Sequence, residues 1–212
     1  MEINWLGHSC FRLKNKDATI ITDPFDETAG YAVKPLKADI VTVSHEHPRH
    51  STVDNVEGDP KVLRGPGEYE IKGVFIYGIR TFRDSDQGKT KGKNTAYLIE
   101  LDGVKICHLG DLGHALSAAQ VEDMSDTDIL LIPVGGVSTV DASTAAEVVN
   151  VIGPRIVIPM HYKTETTGIQ LEPLDKFLKE MGVKEVSPIP KLNVNKSGLP
   201  DETQVVVLEH QE

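Results

Sequence analysis

The sequence has few of the residues that nucleic-acid-binding and membrane-spanning proteins need. Its 212 residues include one Trp, five Tyr and five Phe, which is a poor supply of stacking partners for nucleic-acid bases. Lys and Arg number 22 against 32 Asp and Glu, and the net charge of -10 disfavours phosphate backbones and anionic lipid surfaces. The longest apolar runs, such as residues 129–134, are too short to cross a bilayer. We therefore expect neither a nucleic-acid partner nor a membrane partner.

Cysteine is also scarce. Cys10 and Cys107 each lie in an apolar run, which indicates two buried free thiols in a reducing compartment. The N-terminal residues MEINWLGHSC contain neither the basic segment nor the apolar segment of a secretory signal. We therefore expect a cytoplasmic location.

Short apolar runs separated by turn residues predict strands throughout the first half of the chain. The clearest are residues 3–6, 10–13, 18–22, 40–43, 74–79, 94–101 and 104–109. In the second half, apolar strands at 129–134 and 156–158 alternate with helices at 117–124, 142–152 and 174–181. This alternation predicts a layered α/β fold, with large sheets and outer helices. The polar stretch 80–93 predicts a loop, either mobile and near a functional site or merely solvated.

Three of the eight histidines fall within six residues, in the segment SHEHPRH directly after a predicted strand. In an extended chain His45 and His47 point to the same side, and Pro48 turns the chain so that His50 approaches from another direction. Imidazoles that converge at a strand end suit a borderline metal such as zinc. The residue four positions after His45 is Arg49, which excludes the helical HExxH zinc motif.

Other predicted strands end in side chains of similar chemistry. Asp111 lies between glycines in HLGDLGH, and His161 follows an apolar run in IPMHY. Ligands gather at the carboxyl ends of strands in open α/β sheets, so we expect both residues to join the three histidines. Asp23 and His8 also end strands, and for each a purely structural role remains open.

The motifs SHEHPRH, HLGDLGH, LLIPVGG and IPMHY, in this order, resemble those of the small metallo-β-lactamase-fold hydrolases, including their lactonase-like branch. The resemblance implies a four-layer αββα sandwich that forms a single domain over residues 1–212, with a metal site at one edge. It also implies that His45 and His47 face one metal ion, that His50 and His161 face a second, and that Asp111 bridges the two. Zinc or manganese would be the cofactor, with one or two ions bound.

The same resemblance gives roles to residues around these ligands. Asp23 resembles the family's strand-end aspartate that orients a ligating histidine, and His8 is expected to support the same edge. Asp111 and His50 would be catalytic.

The sequence departs from the family's pattern at two positions. Arg49 stands where the first motif has an aspartate, and Arg83 stands where a further histidine is expected. A guanidinium roughly 5 Å from a zinc ion costs about 6–7 kcal/mol at an effective dielectric of ~20. Structural zinc sites bind with roughly 10–16 kcal/mol, so inward-pointing arginines would weaken or abolish metal binding.

Two functions therefore stay open. In the first, the chain is a metal-dependent hydrolase that attacks a small anionic ester, lactone or phosphodiester with a metal-bound water. Arg49 and Arg83 would then bind the substrate. In the second, both arginines pair with Asp111 in a metal-free, non-catalytic anion-binding module.

Overall fold

The computed structural model describes residues 1–211 and contains two large mixed β-sheets. In chain order the strands are β1 (Glu2–Gly7), β2 (Cys10–Lys14), β3 (Thr19–Thr22), β4 (Leu36–Lys37), β5 (Ile40–Val43), β6 (Val56–Glu57), β7 (Lys61–Arg64), β8 (Gly67–Ile71), β9 (Val74–Phe82), β10 (Lys93–Leu101), β11 (Val104–His108), β12 (Ile129–Pro133), β13 (Ile156–Met160), β14 (Leu192–Asn193) and β15 (Gln204–Val205). The α-helices are α1 (Pro48–Ser51), α2 (Ala118–Asp123), α3 (Ala142–Ile152) and α4 (Leu174–Glu180).

Both sheets combine an antiparallel part with a parallel part. The first sheet has the order β14-β1-β2-β3-β5-β7, and β3, β5 and β7 run parallel. The second has the order β15-β13-β12-β11-β10-β9-β8, and β11, β12, β13 and β15 run parallel. Parallel strands present their carboxyl ends at the same edge, so each sheet offers one edge at which several strand ends lie together.

One continuous apolar cluster fills the space between the sheets and includes side chains from the strands of both. Tyr97 on β10 also links the two sheets by hydrogen bonds. Its hydroxyl accepts the N–H of Gly65 at 3.0 Å and lies 3.0 Å from the carbonyl oxygen of Val43 and 3.1 Å from that of Leu63. The packed sheets therefore hold the strand ends in fixed relative positions.

The α/β sandwich predicted from the sequence is confirmed, and the three predicted helices are present as α2, α3 and α4. Before residue 118, the helical segments of the described chain are the four-residue α1 and two short 3-10 turns. Pro48 begins α1, with His47 as its N-cap, and does not simply turn the chain.

The predicted loop at 80–93 is wrong at both ends. β9 continues to Phe82 and β10 begins at Lys93, which pair directly with each other. Only residues 83–92 connect the two strands. The polar composition of these residues predicted a loop, but exposed strand residues need not be apolar, so composition did not locate the strand ends.

Within residues 1–211 no helix combines the length and the apolar character required to cross a lipid bilayer.

Candidate metal centre

Five strand ends and the helix α1 deliver polar side chains into one buried cluster. The residues that follow or end these elements are His8 (after β1), Asp23 (after β3), His45 (after β5), His50 (in α1), Asp111 (after β11) and His161 (after β13). His45 is 9% exposed, and the other five are at most 2% exposed. The convergence that the sequence predicted for His45, His50, Asp111 and His161 is therefore present in the structure.

The carboxylate of Asp111 lies at the middle of the cluster. Its Oδ1 is 3.3 Å from Nε2 of His50 and 3.3 Å from Nε2 of His161. Its Oδ2 is 3.6 Å from Nε2 of His45. Among the residues described, Oδ1 of Asp111 is buried and accepts no hydrogen bond. Nε2 of His45 is likewise buried and has no hydrogen-bond partner there. Both carboxylate oxygens therefore face imidazole nitrogens.

His8 lies closer to this centre than a supporting residue would. Its Nε2 is 3.2 Å from Nε2 of His50, and its ring centroid is 4.2 Å from that of His161. One nitrogen from each of these three histidines lies within 4.8 Å of the others.

The carboxylate of Asp23 fixes the proton positions on two of the imidazoles. It accepts hydrogen bonds from the backbone N–H of Ser44 at 2.7 Å, from Oγ of Ser44 at 2.6 Å and from Nδ1 of His50 at 2.9 Å. Because the Ser44 hydroxyl gives its single hydrogen to Asp23, it accepts from Nδ1–H of His45, 3.0 Å away. Both His45 and His50 therefore turn an unprotonated Nε2 towards Asp111.

Burial keeps these imidazoles neutral. It lowers the pKa of His45 to about 3 and that of His50 to about 4, and it lowers the pKa values of His8 and His161 as well. For Asp111, burial acts to raise the pKa, but the positive charge that His50 and the other histidines carry in acid outweighs it, so the pKa lies well below its usual range. A carboxylate is thus surrounded by neutral rings at neutral pH.

This donor set fits a divalent metal ion. An anionic oxygen and the lone pairs of imidazole nitrogens face one another at short range, and His45 and His50 bring no hydrogen to the contact. These lone pairs repel one another, and a cation between them would remove the repulsion. Neutral imidazole and carboxylate are also common ligands of zinc.

Several of the side chains are held on strained backbone. His8, Asp23 and His161 have φ values of 53°, 40° and 52°, in the left-handed region. Such residues cost about 1–3 kcal/mol each and cluster at functional sites. Gly110, before Asp111, also has a positive φ, and a Cβ there would lie 2.4 Å from Cβ of Ser44, so only glycine lets the segment after β11 approach the segment after β5 this closely.

His47 lies outside the buried cluster. It is only partly buried, its Nδ1 accepts the backbone N–H of Arg49 at 3.2 Å, and its ring centroid is 6.0 Å from that of His45. The pair His45 and His47, which the resemblance assigns to one ion, is therefore less compact than the group around His50.

The two arginines occupy different positions. Nη2 of Arg83 is 3.4 Å from Oδ2 of Asp111, and Nη1 donates to the carbonyl oxygen of Lys91 at 3.1 Å. Arg49 makes no ion pair with Asp111 in the described chain, and its Nε is buried without a partner. The expected arginine contact with Asp111 is present for Arg83 alone.

Two residues of the site had no recognised signal in the sequence. Ser44 links Asp23 to His45, and Oδ1 of Asn94 accepts the backbone N–H of Asp111 at 3.0 Å. Asn94 lies near the start of β10, where its neighbours Lys93 and Thr95 are also polar, so the pattern did not single it out. The position of Ser44 between a buried strand and His45 was the available hint.

Comparison with known proteins gives consistent matches. Residues 2–161, which include every strand end of the cluster, match the family model described as a beta-lactamase superfamily domain. A UPF0173 metal-dependent hydrolase of Thermoplasma acidophilum is 33% identical over 190 residues, 77% of this chain and 84% of that protein. A UPF0173 metal-dependent hydrolase of Thermococcus onnurineus is 30% identical over 212 residues, 87% of this chain and 93% of that protein. The crystal structure of a metallo-β-lactamase superfamily protein from Thermotoga maritima has a TM-score of 0.81 and 40% identity, and the match covers 98% of this chain and 97% of that one.

Proposed function

Because the chain belongs to the metallo-β-lactamase superfamily, and within it to the UPF0173 family of metal-dependent hydrolases, we propose that it hydrolyses a small anionic ester, lactone or phosphodiester at the cluster around Asp111. One observation carries the proposal. A buried carboxylate and the unprotonated nitrogens of His45 and His50 face one another, and Oδ1 of Asp111 has no donor in the described chain.

The ligands that we propose are Asp111, His50 and His161. His45 and His47 are the remaining candidate ligands, on the other side of the carboxylate. Three protein ligands and an open position are usual for catalytic zinc, and the same side chains accept manganese. The bound ion would lower the pKa of a water molecule and polarise the substrate oxygen.

The protein's own contribution is positioning and charge. Asp23 holds the proton of His50 on Nδ1, so that Nε2 stays available. Asp111 has too low a pKa to take a proton readily, so Oδ2 orients the attacking water by accepting a hydrogen bond from it. Arg83, beside Oδ2, places a guanidinium where negative charge develops on the substrate.

The cleft beside His45 supports an anionic substrate. A cavity of about 270 Å³ is lined by His45 together with Arg64, Arg80 and Lys93. Arg64 pairs with Glu46, whereas the described chain contains no ion pair for Arg80 or Lys93. Two uncompensated cations at the mouth of a cleft, in a chain of net charge -10, attract a negatively charged ligand.

The metal-free alternative has less support. Of the two carboxylate oxygens of Asp111, Arg83 contacts only Oδ2. Among the residues described, Arg49 contacts neither of these oxygens. Oδ1, between His50 and His161, stays without a donor, which a pocket built from two arginines would not leave.

The test combines metal analysis with a matched substrate panel. Purified protein is analysed for zinc and manganese, and hydrolysis is measured for p-nitrophenyl phosphodiesters and for esters and lactones with and without a carboxylate. We expect bound metal, activity that chelator and Asp111→Asn abolish, and a preference for the anionic member of each pair.

Asp126→Asn is the matched control, since Asp126 is an exposed partner of Lys105. It should keep full activity and metal content. Protein without metal, or hydrolysis that survives both chelator and Asp111→Asn, would contradict the proposal, and equal rates on neutral and anionic substrates would contradict the substrate class.

A further inference from the structure

We infer that the centre binds a single ion for which His8 is a ligand beside His50 and His161, and that the guanidinium of Arg83 takes the place of a second ion. This inference rests on the proposed function, because it concerns the ion that the hydrolysis requires. It changes the role expected of His8 from support to ligation.

The spacing of the donor atoms is the first argument. Two ligand atoms 2.0–2.1 Å from a tetrahedral zinc are roughly 3.3–3.4 Å apart. The nitrogens of His8 and His50 are 3.2 Å apart, and Oδ1 of Asp111 is 3.3 Å from Nε2 of both His50 and His161. Each of these contacts therefore has the separation of neighbouring ligands on one ion.

The way in which His8 is held is the second argument. Its carbonyl oxygen accepts the backbone N–H of His161 at 3.1 Å and Nε1–H of Trp5 at 3.0 Å. The residue is 1% exposed and has a φ of 53°. Backbone hydrogen bonds thus tie His8 directly to His161, and the strained conformation aims the imidazole at His50.

The opposite side of Asp111 supplies the third argument. Oδ2 already has the guanidinium of Arg83 at 3.4 Å, and a divalent ion there would meet a positive charge at close range. The other candidate group of ligands, formed by His45, His50 and Asp111, needs His50, whose single free nitrogen cannot serve two ions. His47 belongs to neither compact group in the described chain.

His8 has one competing role, as a hydrogen-bond donor. Its Nε2–H could donate to the free Nε2 of His50, and His8 would then position that ligand without touching the ion. The variant His8→Gln separates the two roles, because a glutamine amide can reproduce the donated hydrogen bond but not an imidazole ligand.

The experiment measures metal stoichiometry, zinc affinity by competition with a chromophoric chelator, and the visible spectrum of the cobalt-substituted protein. The variants are His8→Gln, His8→Ala and, as the matched control, His114→Gln, since His114 belongs to neither compact group and its Nε2 accepts the backbone N–H of Phe82. We expect one ion per chain, at least a 100-fold loss of affinity and an altered cobalt spectrum in both His8 variants, and affinity within about threefold of the parent in His114→Gln.

A measurement on the parent protein covers the case in which the His8 variants do not fold. In the cobalt-substituted protein, each ligating imidazole gives one strongly shifted exchangeable N–H proton resonance. Three such resonances support His8, His50 and His161 as the ligands, and two overturn the inference.

The outcomes distinguish this inference from the proposed function. Two ions per chain, or a His8→Gln protein with unchanged affinity and spectrum, would overturn the inference and leave a metal-dependent hydrolase in place. A parent protein that binds no metal would remove both.

Discussion

Replacing Asp23 by asparagine should weaken metal binding without removing any proposed ligand. Oδ2 of Asp23 accepts hydrogen bonds from Nδ1 of His50 and from Oγ of Ser44. In Asp23→Asn, an amide that keeps its oxygen towards the backbone N–H of Ser44 turns its NH₂ group towards His50. The imidazole then accepts at Nδ1 and carries its proton on Nε2, where the ion should bind. Asparagine also tolerates the φ of 40° at this position, so the backbone does not confound the result.

The expected size follows from the loss of an orienting partner. Removing such a partner typically costs 10- to 100-fold in metal affinity, which is about 1.4–2.7 kcal/mol. The metal-free protein should lose little unfolding free energy, because the amide still hydrogen-bonds His50, and burial, which raises the pKa of Asp23, does not penalise a neutral side chain.

The assay is zinc competition with a chromophoric chelator, combined with ¹⁵N NMR of the histidine side chains to identify the protonated nitrogen. Asp39→Asn serves as the control, since Asp39 is a carboxylate that pairs with Lys72 at the surface. An Asp23→Asn protein that keeps its affinity, or that keeps the proton of His50 on Nδ1, would refute the reasoning.

Three further outcomes are expected. Tyr97→Phe should lower the unfolding free energy by about 1–3 kcal/mol in urea titrations, because it leaves buried backbone groups of the opposite sheet unpaired; no loss would contradict the role of the hydroxyl as a link between sheets. In Gly135→Ala the new Cβ would lie 2.1 Å from the carbonyl oxygen of His161, so zinc affinity and melting temperature should both fall, and unchanged values would contradict this close approach. Burial raises the pKa of Cys107 from 9.0 to about 12 and raises that of Cys10. Both thiols should therefore resist alkylation until the chain unfolds, and stability should fall as the pH rises above 9.0, because the unfolded chain releases the Cys107 proton first; rapid labelling of the folded protein would contradict their burial.

The sequence predicted those parts of the site that local patterns encode. His161 follows an apolar run, His45 follows the mostly apolar run 40–43 and Ser44, and Asp111 lies between glycines, so their places at strand ends could be inferred from neighbouring residues. Parallel pairing then brings such ends together, which is a general property of α/β sheets.

The remaining parts depend on how distant segments meet. His8 approaches His50 because β1 and α1 reach the same edge, and no spacing in the sequence encodes that contact. Arg83 reaches Asp111 while Arg49 does not, although the sequence led to the same expectation for both. Local patterns report the type of residue at a strand end, whereas the direction of a long side chain depends on the packing of the folded chain.

The left-handed backbone at His8, Asp23 and His161 lowers the stability of the fold, but the side chains at these positions are the ones that the metal site requires. Glycine would relax each of these positions, and asparagine would be tolerated there, but neither would keep the imidazole or the carboxylate. A library randomised at the three codons and selected only for resistance to heat or proteolysis should therefore drift towards those two residues. The same library selected for metal capture should return the parental side chains, so the two selections would separate folding requirements from chemical ones.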